Sequence, residues 1–301
     1  MKLDENIIRT IASRHGFNID AEALDLNNSG MDFVTLFARA KKDNSKWVLR
    51  FPRRQDVLKR MDYERDVLEL VKDQLQVEVP DWQVVTDEMV AYPLLSGIPA
   101  GTINPELGDY EWYIDSKSPP EAYVKSVAAT LAELHGVRFE TGEHTAIRVE
   151  GPEQVRQAMA RNMDAIRELL GVSDARWARW QRWLANDALW PQHSVFMHGD
   201  FHPGHTLVDE TGKLTGLIDW TEAAVNDPAK DFVVFYAAFG EGTLDFVLEQ
   251  YQAAGGRVWP GMKEHIVERW NANPVDYALF ALDTGKEEHI EGARESLAWT
   301  D

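Results

Sequence analysis

The spacing of apolar residues gives the chain two textures. Residues 5–16 read as a short helix. "FVTLFARA" (33–40) and "SKWVLRFP" (45–52) are apolar, β-branched and aromatic runs separated by "KKDNS", a hairpin signal. "NNSG" at 27–30 marks a turn ahead of them. Residues 55–75 place Val57, Met61, Val67, Leu68 and Val71 at helical spacing. Two more strand-like runs, "DWQVVT" and "EMVAYPLL", precede Ser96-Gly97. Residues 99–120, with Pro, Gly and acidic side chains but little periodicity, suit a linker or loop. Helical patterns then dominate: 121–136, 153–170, 174–186, 229–239, 243–254, 261–271 and, with breaks, 275–298. Only 194–219 interrupts them, with "LVDETGKLTGLID" reading as a hairpin around Thr211-Gly212. The pattern predicts an α+β chain with a small β-rich lobe over 1–97 and a larger, mainly helical lobe over 98–301.

Composition narrows the class. A chain of 301 residues, 44% hydrophobic and 27% charged, matches a soluble globular protein of one or two domains. The first residues, "MKLDENIIRTIASRHG", lack the apolar run of a secretory signal. No segment approaches the ~20 apolar residues of a membrane span. The expectation is a cytoplasmic protein with no membrane contact. The absence of cysteine excludes disulfides and thiolate chemistry. The net charge of −19 is unevenly spread. Residues 1–75 hold 14 Lys/Arg and 13 Asp/Glu, whereas the other 226 hold 17 and 37. Such an acidic portion repels nucleic acid and attracts a cationic ligand, or serves solubility alone. Trp177, Trp180 and Trp183, with arginines between, would suit nucleic-acid stacking, but beside that charge a packed helix face is the better reading. Nothing calls for an obligate protein partner.

Chemistry concentrates in "VFMHGDFHPGH", residues 195–205. His198, Asp200, His202 and His205 are zinc-compatible donors, but Pro203-Gly204 bends the chain and no helical H-E-x-x-H accompanies them. The second reading pairs Asp200 with Asp219, which ends an apolar strand nineteen residues on. One carboxylate can accept a proton from an attacking hydroxyl while the other holds magnesium on a polyphosphate. Phosphates also need a cation. Arg50 lies in the run "WVLRFP" and Glu64 in the following helix, the strand-to-helix pairing that protein kinases make with lysine. Each alone reads more readily as a solvated charge on an amphipathic element.

The order of Arg50, Glu64, "LAELHGV" (131–137), "HGD", "IDW" and "DPAKDF" resembles the aminoglycoside phosphotransferase branch of the protein-kinase-like fold. The finer text is similar to macrolide 2′-phosphotransferases: "KWVLRFPRR", "VPDWQVVTDEMVAYPLL", "RWQRWLANDALWP", "GLIDWTEA", "AAGGRVWP" and "ALFALDTGKEEH", spread over nearly the whole chain. The resemblance implies a bilobal kinase-like enzyme that transfers the γ-phosphate of a nucleoside triphosphate to the 2′-hydroxyl of a macrolide's amino sugar. It implies GTP, with ATP as the other possible donor, and Mg2+. By position, Asp200 matches the catalytic aspartate and Asp219 the magnesium-binding one. His205 stands where asparagine is usual, as a second metal ligand or as a group orienting Asp200 or a phosphate oxygen. Arg50 replaces the usual lysine and keeps the charge with a forked donor. Ser29 and Gly30 fall where the fold turns over the phosphates, without the G-x-G-x-x-G of protein kinases. Tyr92, Leu94 and Leu95 fall beside the base. Gly199 replaces the arginine of H-R-D, which implies loss of the switch that arginine serves in regulated kinases. His198 and Asp231 are expected to support the catalytic loop, and Asp227-Pro228 to start a helix. His202 is expected at the substrate mouth or in solvent, and Glu222, Phe232, Tyr236 and Phe280 in the acceptor pocket. The alternatives are an aminoglycoside or other small-alcohol kinase on the same fold, or an inactive nucleotide-binding module.

Overall fold

In the computed structural model of the chain, residues 5–19, 25–28, 30, 32–104, 108–138 and 146–298 are described. They belong to two compact units. The first comprises Met1–Ala100, Phe139–Ile147 and His205–Thr221, and the second Gly101–Arg138, Arg148–Gly204 and Glu222–Asp301. The strand-like residues 205–221 thus pack with the N-terminal segment rather than with the helices on either side of them in sequence.

In the first unit, α1 (Glu5–Arg14) precedes β1 (Asp25–Asn27), β2 (Phe33–Arg39) and β3 (Lys46–Pro52). Helix α2 (Val57–Val71) then leads to β4 (Val84–Val85), β5 (Val90–Pro93) and β6 (Ile98–Pro99). The five-stranded antiparallel sheet has the order β1-β2-β3-β5-β4. Side chains alternate across a strand, and here the alternation sorts two cores. Val34, Leu36, Ala38, Leu49, Phe51, Met89 and Ala91 pack on Ile8, Ile11 and Ala12 of α1. Phe33, Val48, Val90 and Tyr92 pack on Val57 and Met61 of α2. Arg50 has the parity of Val48 and therefore faces α2, which carries Glu64. Strands β10 (Thr206–Val208) and β11 (Leu214–Leu217) form the expected hairpin, and β6 joins it in the order β11-β10-β6.

The second unit holds β7 (Gly101–Asn104), β8 (Asp109–Trp112), α3 (Glu121–His135), α4 (Pro152–Leu170), α5 (Asp174–Ala185), β9 (Val195–Met197) and β12 (Ala224–Asn226). Helices α6 (Lys230–Ala253), α7 (Met262–Asn271), α8 (Asn273–Thr284) and α9 (Glu287–Ala298) complete it. Trp180 and Trp183 are buried with Met159, Met163, Ile166, Val275 and Leu297, and Trp177 packs beside them. The tryptophans of α5 therefore form a packed helix face. One sequence expectation is corrected. Residues 99–120 are not mere linker but contain the antiparallel β7–β8 hairpin, with Gly101 opposite Trp112 and Ile103 opposite Tyr110. The helices expected at 229–239 and 243–254 are both present within α6, separated by the non-helical backbone of Gly240 (φ 76°). Strand β12 pairs antiparallel with β9, an element too short for its period to register. Among the described residues no helix is long and apolar enough to cross a membrane.

Candidate active site

The H-G-D loop of the second unit hangs from one carboxylate. Asp231, in the first turn of α6 and fully buried, accepts the His198 N–H on Oδ2 (2.9 Å) and the Gly199 N–H on Oδ1 (2.8 Å). His135, from the end of α3, approaches Oδ2 with Nε2 at 3.2 Å, and its Nδ1 lies 2.8 Å from the Tyr251 hydroxyl. Burial by itself would raise Asp231. The hydrogen bond and charge of His135, the charge of His198 and the Gly199 N–H outweigh it and hold the carboxyl below its ordinary value. His198 is likewise buried, and its Nδ1 accepts the Asp200 N–H at 3.3 Å. Gly199 has a φ of +81°, and a Cβ there would lie 2.3 Å from the Glu222 carbonyl oxygen. The strand pair β9–β12 leaves room for glycine alone. Asp200 follows, half-buried.

Asp227 makes a second brace that the sequence does not announce. It is not the N-cap of α6, a position held by Ala229. Its Oδ1 accepts the Ala229 N–H at 2.9 Å, while Oδ2 meets His265 Nε2 at 2.8 Å and Arg269 Nη1 at 2.9 Å. Trp183 donates its indole N–H to His265 Nδ1 at 3.0 Å, which leaves the ring proton on Nε2 for Asp227. Burial opposes the ionised form, but His265 and Arg269 overcome it and hold Asp227 far below the usual carboxylate range.

The first unit carries the cation and the second carboxylate. Arg50 Nη1 donates to Glu64 Oε1 at 2.8 Å, and its guanidinium lies 4.0 Å above the Phe33 ring. Burial opposes the charge of Arg50, but Glu64, then Tyr92 and Asp219, keep it above its ordinary value. The same burial pushes Glu64 up against the pull of Arg50. Glu64 Oε2 is buried and has no hydrogen-bond partner among the described residues, so an unused acceptor lies beside the arginine. Asp219 follows β11 in a left-handed conformation (φ 64°), unusual for a residue with a side chain and a mark of local constraint. Thr221 donates to its Oδ1 at 2.9 Å, and His205 Nε2 stands 3.8 Å from its Oδ2. That separation exceeds a hydrogen bond and lies between the roughly 3 Å of cis ligands and the roughly 4.2 Å of trans ligands on an octahedral magnesium. The Asp219 oxygen is the donor of the two that suits magnesium.

The other expected residues separate. Ser29 lies outside the described residues. The Gly30 carbonyl accepts Arg53 Nε at 2.8 Å, and Arg53 Nη2 reaches the Asn28 carbonyl at 2.6 Å, so an arginine the sequence reading passed over ties this turn. Tyr92 is buried and pushed up to about 12, first by burial. The Leu94 N–H donates to the Lys46 carbonyl at 3.0 Å and the Ser96 N–H to Glu78 at 2.7 Å, beside buried Leu95. In the second unit Glu222 and Tyr236 are part-exposed. Phe232 is corrected: it has no exposed surface and packs edge-on against His135 and Tyr251, the setting of a core residue. Phe280 packs on Tyr277 and His289, at 6.2 and 5.0 Å between centroids. His202 joins Tyr110 of β8, a residue the sequence reading missed, with 3.0 Å between Nδ1 and the hydroxyl.

The sequence pattern of the phosphotransferase enzyme family, APH, matches residues 24–265. The chain belongs to this family. Among APH structures, the apoenzyme of macrolide 2′-phosphotransferase MphH from Brachybacterium faecium is similar at a TM-score of 0.91 and 38% identity, over 98% of this chain and 99% of that one. A macrolide 2′-phosphotransferase type I is similar at 0.90 and 39%, over 99% of each. The uncharacterised YcbJ of Bacillus subtilis (strain 168) is 45% identical over 292 residues, 96% of this chain and 94% of that protein. The kinase-like α+β fold of the APH family is thus the fold of this chain, with a small antiparallel sheet ahead of a helical part.

Proposed function

We propose that this APH phosphotransferase moves the γ-phosphate of a nucleoside triphosphate, GTP in the first instance, to the 2′-hydroxyl of a macrolide's amino sugar, inactivating the antibiotic. The observation that carries the reading is full-length similarity, at 38–39% identity, to two macrolide 2′-phosphotransferases. In the proposed reaction the acceptor hydroxyl oxygen attacks the γ-phosphorus, and its proton passes to the Asp200 carboxylate. The bond from the γ-phosphorus to the bridging oxygen breaks, and the diphosphate leaves. A general base of this kind contributes roughly 10²–10⁴-fold. Arg50 supplies a permanent cation for the phosphates, and Glu64 fixes its direction. Asp219 and His205 would hold magnesium, which when bound neutralises phosphate charge. Gly30 would turn over the phosphates, and Leu94 and Leu95 would border the base. His202, Glu222, Tyr236 and Phe280 are the proposed acceptor contacts. An acceptor beside this acidic half of the chain gains from carrying an ammonium, as the amino sugar does.

The test is a panel assay of the purified chain with GTP or ATP against fourteen-, fifteen- and sixteen-membered macrolides and kanamycin. The expected result is phosphorylation of macrolides with GTP preferred. Phosphorylation of kanamycin but no macrolide would replace the acceptor, and no transfer to any of them would remove the reading.

A further inference from the structure

The H-G-D loop is held by Asp231 at its first two residues, but its far side, 202–204, is gripped by a different element. That element is the β7–β8 hairpin. At its start the Gly101 N–H donates to the Pro203 carbonyl at 3.3 Å. On β8 the Tyr110 hydroxyl lies 3.0 Å from His202 Nδ1, and the same nitrogen accepts the Gly204 N–H at 3.0 Å. A nitrogen receiving a backbone N–H carries no proton, so the Tyr110 hydroxyl is the donor in their bond. Burial first, then the negative charges of Asp200 and Asp109, push the Tyr110 hydroxyl up to about 12. It keeps its proton at neutral pH and lies within the field of Asp200.

Packing fixes the rest of the geometry. The His202 imidazole lies against Gly204, where a Cβ would come within 2.7 Å of its Cε1. The Tyr110 ring is backed by Trp112 at 4.9 Å between centroids, and Trp112 by Phe239 of α6 at 5.4 Å. Gly101 underlies both rings of the hairpin, since a Cβ there would stand 3.1 Å from Trp112 and 3.2 Å from Tyr110. The tyrosine thus reaches His202 from a support that cannot easily shift.

We propose that Tyr110 is a positioning residue, acting through His202 to hold residues 200–204 so that the Asp200 carboxylate faces the acceptor hydroxyl. With Asp231 on one side of Asp200 and Tyr110 on the other, the loop is fixed at both ends. The inference rests on the reading of Asp200 as proton acceptor. Its signature is expected in turnover, because its hydrogen bond is to the loop that carries Asp200.

The experiment measures kcat, KM for GTP and a fourteen-membered macrolide, and Tm for Tyr110→Phe, His202→Ala, His202→Asn and the two double variants, with Asp200→Asn alongside. Tyr110→Phe removes one hydroxyl, so kcat is expected to fall about tenfold, the scale of one well-placed hydrogen bond. KM for GTP should hold, and Tm should stay within about 2 °C. In the His202→Ala background the tyrosine change should cost nothing further. His202→Asn keeps an acceptor near the Nδ1 position and should stay sensitive to Tyr110→Phe. This background carries the comparison if the alanine variant is inactive. Unchanged kcat in Tyr110→Phe, an equal cost with and without His202, or a loss that tracks a fall in Tm would each overturn the proposal. Turnover retained by Asp200→Asn would instead sink the reading beneath it. An inactive Asp200→Asn with an unaffected Tyr110→Phe would remove the tyrosine's role alone.

Discussion

Replacing Asp231 by asparagine tests how the H-G-D loop is held. The carboxylate takes the His198 N–H on one oxygen and the Gly199 N–H on the other, with no exposed surface. An amide has one acceptor. If its NH2 replaces Oδ1 it faces the Gly199 N–H, and if it replaces Oδ2 it faces that of His198. His135 can adapt by moving its proton to Nδ1, where the Tyr251 oxygen can accept, but neither backbone N–H has such freedom. One buried N–H is therefore orphaned, at roughly 1–3 kcal/mol, and the other exchanges a charged acceptor for a neutral one, at about 1 kcal/mol more. The expected loss is about 2–4 kcal/mol, with turnover lowered because the orphaned N–H turns the loop toward another acceptor. Urea unfolding followed by tryptophan fluorescence reads the stability, since Trp180 and Trp183 are buried in the same unit. The pH dependence gives a second check. Folded Asp231 lies below its ordinary value, so its stabilisation is complete above the unfolded value of about 4 and fades as pH falls through the folded one. The gap between wild type and variant should narrow in acid. A variant within about 0.5 kcal/mol of wild type, with normal turnover, would refute the account.

Four further outcomes are expected. Asp200→Asn should keep the fold and nucleotide affinity while turnover drops by roughly 10²–10⁴; near-normal turnover would end its role as proton acceptor. Asp219→Ala should abolish magnesium-dependent nucleotide binding in calorimetry, and unchanged affinity would locate the metal elsewhere. Gly199→Ala meets both the positive φ and the Glu222 carbonyl, so denaturation should show a loss of about 2 kcal/mol or more, and an unaltered midpoint would contradict the close approach. Raising salt toward ~0.15 M, where charges beyond ~8 Å are screened, should raise the macrolide KM at nearly constant kcat, whereas a flat KM would leave the acidic surface to solubility alone.

What could be read from the sequence was what local rules fix. Strand parity turned Arg50 toward the same side as Val48, and helical spacing put Glu64 on the face of α2 that includes Val57, Met61 and Val67, all buried. Those periodicities are compatible with the pair now seen at 2.8 Å, but it is the kinase-like order of strand cation and helix carboxylate that suggests it. The β7–β8 hairpin escaped because β8 alternates over only four residues, exposed Asp109 and Glu111 against half-buried Tyr110 and Trp112, and β7 does not alternate at all. Its Trp112 packs on the Phe239 ring of a helix distant in sequence, and no periodicity registers such a contact. The Asp227 brace escaped for the same reason. Its partners stand 38 and 42 residues away, and a local reading of Asp-Pro finds only a helix start.

Gly199 shows how the two kinds of information combine. By resemblance it marks the loss of the arginine that regulated kinases place before the catalytic aspartate. The structure adds an independent cause. With β12 paired to β9, the Glu222 carbonyl lies where any Cβ at 199 would go, and the backbone has already adopted a left-handed φ. Glycine then lets the two N–H groups ahead of Asp200 turn together onto one buried carboxylate. An arginine at 199 would have to displace Glu222 and loosen Asp231 from the loop before it could answer to any phosphorylated segment. The glycine at 199 and the loop braced by Asp231 belong to the same backbone geometry.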